Sequence, residues 1–145
     1  SALKKVGGFS PLFFHYGEDV DYIHRMRFYG YRVGYTPLTS GCHDRQNRPI
    51  TRQTQMKLDR VYYLSVVSDL NSGMAKCLWG GGLAPLKPGV LALLRGRFKE
   101  FCFYTGTSVR LLCRYPSIAE IKRFCKQGRP VFLENVHSKI KPIWS

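Results

Sequence analysis

The chain has 145 residues, of which 44% are hydrophobic and 14% aromatic, a composition that excludes a disordered segment and indicates one globular unit with a modest core. The formal net charge is +14, and it is unevenly distributed. Residues 1–45 carry six Lys/Arg and four Asp/Glu, whereas residues 46–145 carry seventeen and five. The second part should therefore attract phosphates, anionic lipid or an acidic partner.

The first predicted regular element is a helix that begins near Glu18. Three of the nine acidic residues are clustered at its start: Glu18, Asp19 and Asp21. The positive end of the helix dipole favours carboxylates in a first turn. We expect Asp21 to pair with Arg25, four positions further on, and Gly30 to end the helix. A short strand is predicted at residues 31–35.

The remainder of the chain has mostly helical patterns. One helix is predicted over residues 53–70, and a basic amphipathic helix over residues 90–105. The Gly/Pro-rich residues 79–89 between them are typical of a hinge. Pro116 predicts a break, and the capping-box pattern directly after it is typical of the start of a last helix.

These elements predict an α+β, mostly helical fold. A turn–helix–strand unit occupies residues 1–45, and a basic, mostly helical extension occupies residues 46–145. A single strand cannot form a sheet, and it would expose unpaired backbone groups. We therefore expect the chain to be a piece of something larger, or to pair this strand with another copy in a homo-oligomer.

The cysteines argue against a disulfide framework, because there are five of them and no CxxC pair, which favours a reducing compartment. Cys102, Cys113 and Cys125 are spaced too widely for a zinc knuckle and are predicted to be buried small hydrophobes. No window resembles a secretory signal. The longest strongly apolar run, residues 90–94, is far shorter than the roughly 20 residues that a spanning helix needs. We predict no membrane span, and attachment to a membrane surface stays open.

An ordered series of short motifs runs through the N-terminal part. In chain order the motifs are Gly7-Gly8-Phe9, Phe13-Phe14, Glu18-Asp19, Asp21, Arg25, Arg27, Gly30-Tyr31 and Pro37, followed by His43. This series resembles the second half of the catalytic domain of family 2 glycosyltransferases, which have a GT-A fold. In that family a nucleotide-binding half with a metal-holding Asp-x-Asp motif comes before this segment. The resemblance implies that residues 1–45 are the C-terminal part of a GT-A catalytic domain.

The resemblance also implies an activity. It is the transfer of a sugar, with inversion, from a nucleotide-sugar donor to a hydroxyl of a glycan or lipid-linked acceptor in cell-surface polysaccharide assembly. Such a transfer needs one general base, and a carboxylate can serve. Asp19 is the expected base, with Glu18 as second choice or as a residue that orients acceptor or base. The alternative is that both carboxylates only complement the helix dipole, which is worth roughly 0.3–1 kcal/mol each.

Further candidate binding residues each have a plain alternative. Gly7 and Gly8 either let the backbone approach the sugar or acceptor closely or form an ordinary turn. Phe13 and Phe14 either line the acceptor site or belong to the core, and Arg45 and Arg48 either bind the diphosphate or are solvated. The leaving pyrophosphate needs positive charge, usually Mg²⁺ or Mn²⁺, and His43 would complete that metal site in the intact enzyme. Imidazole suits these ions poorly to moderately, and we expect no tightly bound cofactor in this fragment.

The expected location is cytoplasmic, with peripheral contact to the inner face of the cell membrane through the basic helix at residues 90–105. The alternative function is a non-catalytic basic module that binds anionic membrane or a partner. The plainest interpretation of the same charges is a solvated basic face over a helical core. Nucleic acid is not expected as a partner, because the sequence lacks a base-stacking aromatic motif.

Overall fold

The structure is a computed structural model that describes residues 1–13, 16–34, 36–38 and 49–128. Within these ranges about 70% of the residues are helical and no strand is present, so the prediction of a mostly helical fold is confirmed. The elements, in chain order, are α1 (Ala2–Val6), α2 (Glu18–Phe28), α3 (Arg52–Ser68), α4 (Met74–Cys77), a π-helical segment (Leu78–Leu83), α5 (Leu86–Leu94) and α6 (Phe98–Lys126). Residues 31–34 of the predicted strand have no regular secondary structure, and Tyr35 lies outside the described residues.

Helices α2 and α3 begin close to where the sequence predicts them. Helix α2 starts at Glu18 with the three acids in its first turn, and Gly30 beyond its end has the expected positive φ of 81°. Helix α3 is capped by Thr51, whose hydroxyl accepts a hydrogen bond from the amide of Thr54 at 3.2 Å. Both helices thus begin at the local features that favour a helix start.

The prediction of a hinge at residues 79–89 is wrong, because this stretch is helical almost throughout. Its glycines permit close packing between helices instead. A Cβ on Gly81 would lie 2.3 Å from Cγ2 of Val67 in α3, and a Cβ on Gly82 would lie 2.8 Å from Cδ2 of Leu112 in α6. The absence of side chains here lets the π-helical segment approach both neighbours.

Two further boundaries differ from prediction. The single helix expected over residues 90–105 is divided between α5 and α6 by a turn at Gly96, whose φ is 69°. Helix α6 then continues through Pro116 to Lys126 rather than breaking there. Proline removes one backbone donor from a helix, and the buried residues that follow, Ile118 and Ile121, hold the next turns in the core.

The core joins both parts of the chain. Its buried members are Leu12, Phe13, Leu64, Val67, Leu70, Leu111, Ile118, Ile121 and Cys125. Cys77 is also buried, but Cys102 and Cys113 are exposed, so the prediction of buried cysteines is wrong for those two. The tyrosine hydroxyl of Tyr29 in α2 donates a hydrogen bond to the carbonyl of Cys125 in α6. Residues on either side of position 45 therefore share one core.

The side chain of Lys122 is buried beside this core. The ammonium group of Lys122 is directed at the carbonyls of Val67 and Ser72, at 3.4 and 3.3 Å, and lies 2.9 Å from the sulfur of Cys77. The last carbonyls of a helix lack partners within the helix. Lys122 therefore serves the end of α3 and the connection to α4 from its place on α6.

A continuous helical stretch, Met74–Leu94, is long and apolar enough to cross a membrane when judged by length and composition alone. This differs from the sequence-based expectation, which considered the apolar run at residues 90–94. A third of the most apolar window is buried within the protein. One helix of this kind is weak support for a membrane span.

Candidate functional site

The predicted catalytic carboxylates lie together at the start of α2. Asp19 is exposed, and its Oδ1 accepts a hydrogen bond from the amide of Val20 at 2.8 Å. Glu18 is half-buried, and its Oε2 is enclosed without a hydrogen-bond partner among the described residues. Asp19 is thus open to solvent and to a molecule approaching from outside, whereas one oxygen of Glu18 is turned inwards.

Arg25, in the middle of α2, makes three hydrogen bonds from a position that is only 2% exposed. Its Nε donates to Oδ2 of Asp21 at 2.8 Å, which confirms the predicted pair. Its Nη1 donates to the carbonyl of Val6 and its Nη2 to the carbonyl of Gly8, each at 2.7 Å. A planar guanidinium can make several such bonds at once. We call these contacts the Arg25 clamp.

The Arg25 clamp fixes the Gly7-Gly8 turn against α2. Gly7 has φ 83° and ψ −173°, a conformation that favours glycine over residues with a side chain. Gly8 is different, because a Cβ built there would meet no atom of the described residues within 4 Å. The ring of Phe9 then packs on that of Tyr22, with centroids 5.6 Å apart. The turn predicted to bind substrate is therefore a held backbone feature with open space beside Gly8.

Asp21 belongs to the interior rather than to a substrate site. Burial raises the pKa of its carboxyl group, and the neighbouring Arg25 acts in the opposite direction. A small cavity of about 10 Å³ lies beside the pair and is also lined by Ser10, Ser68 and Lys122. That volume holds about one water molecule. A sugar does not fit there, so the ion pair has a structural role.

Gly17 is a residue whose importance the sequence-based reasoning missed. It precedes α2 with φ 86°, and a Cβ there would lie 2.4 Å from Cγ1 of Val61 in α3 and 3.2 Å from the ring of Phe13. The start of α2 therefore touches α3 at a point where no side chain fits. The signal in the sequence is a glycine directly before a predicted helix start, because glycine adopts positive φ without strain.

The other predicted site residues cannot be placed relative to Asp19, since Phe14, His43 and Arg45 lie outside the described residues. Within the described ranges, no group of three or more His, Cys, Asp or Glu side chains is arranged to hold a metal ion. The described residues alone therefore do not form the metal site that the family resemblance implies.

What this arrangement offers chemically is an accessible carboxylate on a rigid helix start. A general base must come within hydrogen-bond reach of the proton that it removes, and Asp19 is free to do so for a substrate bound from outside. Comparison with protein-family models gave no match, and no curated protein or solved structure matched the chain significantly.

Proposed function

We propose that this chain is the acceptor-side, C-terminal part of an inverting, nucleotide-sugar-dependent glycosyltransferase with a GT-A fold. The observation that carries the proposal is the Arg25 clamp. It joins two motifs of the resemblance that are separate in sequence, the Gly7-Gly8 turn and the helix that begins with Glu18 and Asp19, through the arginine within that helix. Motifs that meet in one structural contact have a physical reason to occur together.

In this proposal Asp19 is the general base. Its carboxylate removes the proton from an acceptor hydroxyl, and the oxygen attacks the anomeric carbon of the donor sugar. The bond to the nucleoside diphosphate breaks on the opposite side, and the diphosphate leaves with the bonding electrons. Glu18 orients the acceptor or the base. Exposure of Asp19 in this chain fits a base that faces a donor site supplied by the nucleotide-binding half.

The proposal assigns the rest of the site to the intact enzyme. Residues 31–35 would form a strand only within the sheet of the complete GT-A domain, where their backbone groups would find partners. Phe14 and Arg45 would contact acceptor and diphosphate, and His43 would be a ligand of Mg²⁺ or Mn²⁺. That cation would offset the charge of the leaving diphosphate.

The test is Asp19→Asn in the intact enzyme, with sugar transfer measured from a panel of nucleotide sugars. We expect the rate to fall by a factor of about 10²–10⁴, the usual contribution of a general base, while the melting temperature stays unchanged. Glu120→Gln, a matched change of an exposed acid on α6, should leave transfer intact. Retained turnover in Asp19→Asn would refute the assignment and favour the non-catalytic interaction module.

A further inference from the structure

Helix α5 is apolar on both sides. Its inner side consists of the small or compact residues Pro85, Gly89 and Ala92, which are buried. A Cβ on Gly89 would lie 3.3 Å from Cβ of Tyr104, so this side packs closely on α6. A surface helix normally has a polar side opposite its buried one. The outer side of α5 is apolar instead, and this needs an explanation.

The outer side exposes large hydrophobic side chains. On α5 they are Leu86, Val90, Leu91, Leu93 and Leu94, with Val90 51% and Leu94 78% exposed. Trp79, in the preceding π-helical segment, is 76% exposed, and Met74 and Phe98 are exposed at the two ends. We call these eight side chains the outer apolar face. Single exposed hydrophobic residues are ordinary, but eight of them between residues 74 and 98 indicate a surface that something covers.

The charged residues within the sequence that carries this face all have the same sign. Between Asp69 and Glu100 the chain has five basic residues and no acidic one: Lys76, Lys87, Arg95, Arg97 and Lys99. Of the two flanking acids, Asp69 accepts hydrogen bonds from Ser72 and Asn71, whereas Glu100 pairs with Arg52 and also with Arg97, one of these five basic residues. The surface is therefore hydrophobic with a cationic border.

We propose that the outer apolar face docks on the surface of a bilayer that contains anionic lipid. Hydrophobic side chains enter the boundary between headgroups and acyl chains, and the lysines and arginines contact the lipid phosphates. Trp79 is suited to this boundary, where its ring is partly apolar and partly polar. The docking does not depend on the proposed sugar transfer, because it is carried by α5 and its neighbours.

Charge and packing favour this occupant over the alternatives. A second copy of the chain would bring five like charges against the same five, which repel each other. A membrane span would have to separate Gly81 from Val67 and Gly89 from Tyr104, pairs that are in close contact. It would also place the charged side chain of Lys87 within the hydrocarbon, which is unfavourable. The segment therefore lies on the membrane rather than crosses it.

Vesicle flotation of the 145-residue chain tests the proposal. We expect the protein to float with vesicles of phosphatidylcholine and phosphatidylglycerol at low salt, to float poorly with phosphatidylcholine alone, and to lose most binding in about 0.5 M salt. In a Trp144→Phe background Trp79 is the sole remaining tryptophan. Its emission should then shift to shorter wavelength when anionic vesicles are added.

Matched variants distinguish binding through the outer apolar face from non-specific hydrophobic adsorption to vesicles. Leu94→Ser combined with Lys87→Glu should lower vesicle affinity by about tenfold or more. Leu38→Ser combined with Lys4→Glu is the control, because Leu38 is 79% exposed but lies outside the face. Circular dichroism should show unchanged helix content in both.

Four outcomes would overturn the proposal. They are equal affinity of the two double variants, equal binding to neutral and anionic vesicles, resistance of the bound chain to alkaline extraction, and self-association in sedimentation without any flotation. The third would indicate a membrane span, and the fourth a face covered by a second copy. Whatever Asp19→Asn does to sugar transfer, it should leave all four of these vesicle-binding and association measurements unchanged. The two proposals can therefore fail separately.

Discussion

The N-terminal residues up to position 38 and the helices from position 52 onwards are held together in different ways. In the first region one buried guanidinium fastens the Gly7-Gly8 turn to α2 through backbone carbonyls. In the second region α5, α6 and the π-helical segment pack through glycines and apolar side chains. The first arrangement concentrates stability in a single side chain, whereas the second distributes it over many contacts.

This contrast matters because a buried charge is costly unless all its partners are present. Removing Arg25 leaves the carboxylate of Asp21 and two carbonyls without their donor. Removing one hydrophobic contact in the helical region leaves the remaining contacts in place. The N-terminal region should therefore respond sharply to one substitution, and the helical region mainly to changes that prevent close approach.

The largest effect is expected for Arg25→Leu. Because this change leaves Asp21 buried and unpaired, we expect the free energy of unfolding to fall by about 3–5 kcal/mol, measured by urea denaturation. Hydrogen exchange should accelerate most in residues 1–13. Arg27→Leu, two positions along the same helix but exposed, should change stability by less than about 0.5 kcal/mol. Equal effects of the two substitutions would contradict the clamp.

The next effect contrasts two glycines of the helical region. A Cβ on Gly81 would lie 2.8 Å from the backbone carbonyl of Tyr63, which no rotamer change can relieve, so Gly81→Ala should destabilise by about 3 kcal/mol. A Cβ on Gly106, within α6, would have no neighbour within 4 Å in the part of the chain that the structure describes. Gly106→Ala should therefore stabilise by about 0.5–1 kcal/mol. Thermal unfolding measures whether each substitution lowers or raises stability. If Gly81→Ala left stability unchanged, the hinge interpretation of residues 79–89 would be favoured again.

The smallest effect is a pH dependence centred on the shared core. Burial raises the pKa of the Cys125 thiol from 9.0 to about 11. The folded state then holds this proton where the unfolded chain releases it, so stability is complete below pH 9 and declines as the pH rises towards 11. We expect a loss of about 1–2 kcal/mol over this interval, after allowing for partial exposure.

Denaturation under reducing conditions at several pH values measures this decline. Tyrosines that also titrate at high pH, such as Tyr104, are common to the wild type and to Cys125→Ala, so the difference between the two slopes isolates the thiol. Cys125→Ala should have the flatter slope even if its stability is lower at every pH. Parallel slopes would mean that Cys125 is more accessible to water than its position in the core indicates.

The sequence predicted those features that depend on neighbouring residues. The start of α2, the pairing of Asp21 with Arg25, and the helix after Thr51 follow from helix dipole, spacing and capping. The two carbonyls bound by Arg25 were not predictable, because they belong to residues 17 and 19 positions away. The glycines at 81 and 82 were misinterpreted as a hinge, since only the presence of Val67 and Leu112 opposite them explains their small size.

Pro116 is a further case in which distant contacts override what the neighbouring residues predict. Proline disfavours a helix interior locally, but burial of the following residues in the core outweighs that preference. For the candidate site, the sequence placed Glu18 and Asp19 correctly at a helix start. The role of Asp19 as a base stays a prediction, because a catalytic role depends on the donor half and on residues beyond the described part of the chain.

The common core has a geometric consequence for the whole molecule. Leu12 and Phe13 pack in the same cluster as Leu111 and Ile118 of α6, and α6 in turn carries α5. The N-terminal residues and α5, which lie at opposite ends of this series of contacts, therefore cannot tilt independently. A bilayer that holds α5 would therefore also fix the height and the tilt of the start of α2, and with them the position of Asp19 relative to the membrane surface.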